Sequence, residues 1–108
     1  MKYIVYPAVL EIDPSENTYC FNFQDLNIVS PGVSVERAYL RACSDFQTYI
    51  SFAEKFGFPL VEATAFDEFE KLNPKKRVML FRAKVSGEKV QLSNDEAAYK
   101  RLIEGMIE

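Results

Sequence analysis

Residues 2–12, KYIVYPAVLEI, form a nearly unbroken run of β-branched and aromatic side chains, the pattern of a strand covered on both faces. Pro7 inside it has no N–H to give to a ladder, so an edge or a bulge is expected there. Residues 13–18, DPSENT, are a dense cluster of turn formers. Residues 19–24 then alternate, with Tyr19, Phe21 and Phe23 on one side and Cys20, Asn22 and Gln24 on the other. Two strands around a short polar turn predict an antiparallel hairpin.

Residues 25–33, DLNIVSPGV, read as a connector broken by Pro31-Gly32. Ser34 is a good N-cap, and Val35, Ala38, Ala42, Phe46, Tyr49, Ala53 and Phe56 recur at steps of three and four. Arg37, Arg41, Ser44, Thr48, Ser51 and Lys55 fall on the opposite face. The spacing predicts an amphipathic helix of about six turns, stopped by Gly57 and Pro59. Residues 60–76 fit a short extended piece and a helical turn, with Asn73-Pro74 as the stop. RVMLFRAKV (77–85) alternates again, with Met79, Phe81, Ala83 and Val85 toward a core. Ser86-Gly87 starts a turn. Ser93 with Glu96 makes a capping box for a last helix running to about Met106. Its apolar stripe is Ala98, Leu102 and Met106.

These elements predict an α+β fold in which an antiparallel sheet of three or four strands packs on one long helix (β-β-α-β), followed by a C-terminal helix. The expected division is a domain over 1–90 and a helical extension over 91–108. An isolated helix of that length is marginal in water, so its stripe needs a surface. Either its own domain or a second copy can provide one. A homodimer or higher homo-oligomer through Ala98, Leu102 and Met106 is the expectation, since C2 pairing is the commonest closed assembly.

The chain has 108 residues, 48% of them hydrophobic, with nine Phe and six Tyr. That suffices for one cored domain without metal or disulfide. No histidine and no tryptophan is present. Triads built on His, His-ligated metals and imidazole acid–base chemistry are thereby excluded from this chain. The net charge of −3 disfavours a whole-domain nucleic-acid footprint and suits a basic partner. Cys20 and Cys43 lack metal-ligand spacing and read as small buried side chains. The first residues, MKYIVYPAVLEID, have no signal-peptide pattern, and no apolar stretch is long enough to span a membrane. A cytoplasmic location is expected.

Catalysis finds little to work with. Asp13, Asp25, Asp67, Glu68 and Glu70 fall mostly in turns or on polar faces, which reads as solvated surface. Ser30, Ser34 and Ser51 lack a base. No P-loop, GxGxxG or CxxC occurs. No cofactor and no metal are expected, and the chain is not expected to be an enzyme. Lys75, Lys76 and Arg77, with Lys71 nearby, can grip phosphates but more often form a solvated loop before a strand. Residues 86–108 are too few for a DNA-binding unit with its own core, so DNA binding by this chain is not expected.

Read together, Phe23-Gln24-Asp25-Leu26, the connector to Gly32, and Val35-Glu36-x-Ala38-x3-Ala42 are similar to the HicB-like antitoxin domain family. Gly57-x-Pro59-Leu60-Val61 and Ala63-Thr64 resemble the segment that follows the helix in that family, and RVMLFRAKV falls at its next strand. The match runs over residues 1–85. The resemblance implies a partial ribonuclease-H-like fold without catalytic carboxylates. It also implies that the domain binds and neutralises a small, basic, RNA-cleaving toxin of the HicA-like kind. Asp67, Glu68 and Glu70 are the candidate toxin contacts, as an acidic cluster expected to be exposed. Two other classes fit the residues: an orphan interaction or dimerisation module, phage-derived for instance, and a small nucleic-acid-binding regulator using the Lys75–Arg77 loop.

Overall fold

The structure, a computed structural model, describes residues 1–104. Met106, the last position of the expected apolar stripe, therefore lies outside the described residues. The elements are β1 (Lys2–Asp13), β2 (Thr18–Phe23), β3 (Ile28–Gly32), α1 (Val35–Phe56), α2 (Phe66–Leu72), β4 (Arg77–Ser86), β5 (Lys89–Leu92) and α3 (Glu96–Glu104). The strands form one sheet in the order β3-β2-β1-β4-β5, with every neighbour antiparallel. The class is α+β, and the sheet has five strands where the sequence pattern predicts three or four. The two additional strands are the short ones. β3 hides in a connector because Pro31-Gly32 reads as a breaker, yet Pro31 on an edge strand has no outer ladder to interrupt. β5 is four residues following the Ser86-Gly87 turn, too short to show a period.

β1 lies in the middle of the sheet, and Pro7 pairs with Leu80 of β4 within it. This is neither a sheet edge nor a bulge, and the register explains why it is tolerated. Arg82 turns both backbone groups toward the β5 side. Its N–H donates to Asn94 Oδ1 at 2.7 Å, and its carbonyl accepts the Ser93 N–H at 2.8 Å. Alternate residues of an antiparallel strand bond to alternate neighbours, so Phe81 and its partner Tyr6 join β4 to β1. Pro7 then turns its backbone toward β2, whose ladder with β1 begins only at Val9. The missing N–H falls where the neighbouring strand has already ended.

α1 begins as the sequence predicts. Ser34 Oγ accepts the Arg37 N–H at 3.1 Å, and Gly57 at φ 68° closes the helix by donating to the Ala53 carbonyl. The buried face is Ala38, Ala42, Phe46, Ile50 and Ala53. Ile50 follows Phe46 by four residues and holds the line of the stripe. Tyr49 is only half-buried and Phe56 is exposed. This face packs on Phe21, Phe23 and Phe81, with Phe23 stacked on Phe46 at 5.5 Å and set edge-on to Phe81 at 4.8 Å. A Cβ on Gly32 would sit 2.3 Å from the Ala38 backbone nitrogen, so only glycine lets β3 come this close to α1.

The opposite face of the sheet is also covered in part. Pro7 and Val9 are fully buried there, and Phe69 of α2 is fully buried outside the main core. Residues 57–65 carry the chain from one side to the other. Leu60 and Ala63 pack on the main core, and the Tyr6 hydroxyl donates to the Val61 carbonyl. α3 starts later than the expected Ser93/Glu96 box. The Ser93 N–H is engaged by Arg82 in the β5 ladder, so Asp95 takes the capping role. Its carboxylate accepts the Ala97 N–H at 3.0 Å, and its carbonyl accepts from Ala98 and Tyr99. β5 straddles the division expected at residue 90, and Leu102 of α3 joins the same core as β1, β2 and α1.

Candidate functional site

The residues that carry the sequence motifs meet at the turn after β2. Asp25 accepts two hydrogen bonds from Thr64, from the backbone N–H at 2.8 Å and from the hydroxyl at 2.7 Å. Beside it, Gln24 and Asn73 exchange side-chain hydrogen bonds at 2.9 and 3.2 Å, and Asn73 also donates to the Phe69 carbonyl at 3.0 Å. The Gln24-Asp25 pair thus pins the 57–65 crossing and the end of α2 to one end of the sheet. Asp25 is half-buried and both its oxygens are engaged, which corrects its reading as solvated surface.

Asp67, Glu68 and Glu70 are all exposed on α2. They do not converge on a point. Asp67 and Glu70 lie about one turn apart, and Glu68 points about 100° around the helix from Asp67. Asp67 Oδ1 accepts the Glu68 N–H at 3.0 Å. Glu70 faces a groove of about 560 Å³ along β4 that also holds Lys76 and Arg101. Of the candidate assembly residues, Leu102 is 6% exposed inside its own core and Ala98 is half-buried. In the basic run, Lys71 and Lys75 are exposed and Lys76 pairs with Glu11 at 3.1 Å.

Cys20 and Cys43 are free and half-buried, less covered than their sequence context predicts. Burial pushes both thiols up, which disfavours the reactive thiolate. Among the described residues no group of three or more Cys, Asp or Glu side chains is placed to hold a metal ion. No described helix is long and apolar enough to cross a membrane.

Two apolar surfaces went unread in the sequence. Phe52, Phe56 and Phe58 are each more than half exposed yet gather around Phe52, which stacks on Phe58 at 5.3 Å and meets Phe56 at a tilt at 4.6 Å. The second surface joins α1 and α3, where Tyr39 stacks on Tyr99 at 3.8 Å. Asn94 locks this junction, donating to the Tyr39 hydroxyl at 3.1 Å while its oxygen accepts the Arg82 N–H. Burial pushes the Tyr39 phenol up to about 12. The available signal was large apolar residues, Leu40 and Phe52, off the core stripe of α1. Comparison with protein-family models, curated proteins and solved structures finds no match for this chain.

Proposed function

We propose that this chain is a non-catalytic partner-binding domain of the HicB-like antitoxin type, which neutralises a small basic RNA-cleaving toxin by covering its surface. The observation that carries the reading is the Asp25–Thr64 clamp. The Phe23–Leu26 and Ala63-Thr64 blocks, which bear the family resemblance, are far apart in the chain and make one structural device. Motif residues that brace one another in this way support a shared architecture over a chance match of short strings. With its carboxylate engaged by Thr64, Asp25 serves the fold, and recognition falls to area and charge. The net charge of −3 favours encounter with a basic partner. Free Cys20 and Cys43 suit a reducing cytoplasm, where the domain would act.

The test is an RNA-cleavage assay of a HicA-like toxin encoded beside this chain's gene, titrated with the purified protein. Cleavage should fall to background near one equivalent. Unchanged cleavage at several equivalents, or RNA cleavage by the chain alone, overturns the reading.

A further inference from the structure

α1 and α3 enclose an open groove of about 590 Å³ between Val35, Tyr39 and Leu40 on one wall and Tyr99 and Ile103 on the other. Leu40 stands 56% exposed, and Val35, Tyr99 and Ile103 are half-buried. These side chains offer apolar area that the core does not use. Both walls are helices, whose interior backbone groups are already bonded, so the groove has no strand edge to extend. An entering helix fits such a surface through side chains alone.

Charge selects among entering helices. Glu36 of α1 and Glu96 of α3 line the groove against the single Lys100, and Glu104 is exposed one turn beyond Lys100. The carboxylates reach across the junction. Burial raises the Tyr99 phenol and Glu36 adds to the rise, while Glu96 acts in the same sense on Tyr39. A second copy of this chain would set the net-negative rim against itself, whereas a cationic helix meets it with complementary charge.

We propose that the α1–α3 groove is the docking surface for an amphipathic cationic helix of the partner protein. The proposal rests on the antitoxin-type reading only in taking the partner to be basic.

The probe is a synthetic amphipathic helical peptide patterned in Leu and Lys, compared by fluorescence anisotropy with a twin patterned in Leu and Glu. The Lys peptide should bind and the Glu twin should not. Leu40→Asn, and separately Glu36→Gln with Glu96→Gln, should each raise Kd about tenfold. Asp67→Asn with Glu68→Gln and Glu70→Gln should leave it within about twofold. All these positions are exposed, and unchanged denaturation midpoints establish that the variants fold. Equal binding of the two peptides overturns the proposal, as does loss of binding in the α2 variant alone. A dimer that Leu40→Asn converts to monomer would identify a second copy as the occupant and overturn it too. If the Lys peptide binds as described while toxin cleavage is unaffected, the groove stands and the antitoxin reading falls. The converse result removes only the groove.

Discussion

Phe46 is where α1 meets three rings of the sheet, one each from β1, β2 and β4. It stacks on Phe23 and contacts Tyr6 edge-on and Phe81 obliquely, all within 6.4 Å centroid to centroid. Phe46→Ala is expected to cost about 3–5 kcal/mol in chemical denaturation, and a loss below about 1 kcal/mol would contradict central packing. Asp25 matters at the same scale for a different reason. Its bonds to Thr64 are charge-assisted, so Asp25→Ala should cost about 1.5–3 kcal/mol. A double-mutant cycle with Thr64→Val should return a clear coupling energy. Additive losses would mean that the two residues stabilise the fold separately. Phe46 was legible in the sequence because it repeats on a helical period. The pairing of Asp25 with Thr64 was not, since a lone Asp in a turn carries no mark of what it will bind.

At the scale of elements, the long regular pieces were legible and the short ones were not. α1 repeats its pattern over many residues between a Ser cap and a Gly stop, and its bounds emerge from the string Ser34–Gly57. β3 and β5 owe their existence to neighbours, namely β2 with its alternating Phe residues and the β4 edge. The placement of α3 is likewise a tertiary matter, set when Arg82 recruits Ser93 and leaves Asp95 to cap. Asn94 is the hinge of that arrangement, joining β4 to Tyr39 of α1. Asn94→Ala should therefore speed amide hydrogen exchange across residues 96–104 while leaving the middle of α1 protected. Uniform acceleration over both helices would show that α3 is not a separate opening unit.

For the whole molecule, the missing histidine shapes the response to pH. No side chain with an ordinary pKa between about 5 and 8 is available to change charge. Phenols and thiols that burial perturbs act at the alkaline end. Burial raises Cys43 from 9.0, Tyr6 and Tyr99 from 10.0, and Tyr39 from 10.0 to about 12. The folded state therefore holds these protons more tightly than the unfolded chain. Their contribution is complete below about pH 9 and is lost as pH rises toward 12. The urea midpoint should be level through neutral pH and fall steadily above about 9. Tyr39→Phe should remove part of that decline. At the acid end, Ser15 donates to the Asp13 carboxylate and holds its pKa down, a contribution lost as pH falls. A midpoint that moved sharply between pH 6 and 8 would contradict this account.

The position of β1 has a consequence for how the chain is born. The most continuously apolar of the five described strands is synthesised before the other four, and its long ladder runs to β4, from Lys2 opposite Val85 to Leu10 opposite Arg77. During synthesis at about 5–20 residues per second, β1, β2, β3 and α1 can assemble while that flank of β1 waits several seconds for its partner. A nascent chain stopped before Arg77 would carry an open, hydrophobic strand edge, the kind that chaperones and sister chains bind. Ribosome-bound fragments of increasing length should thus stay protease-sensitive and sticky until the Arg77–Ser86 stretch has cleared the exit tunnel.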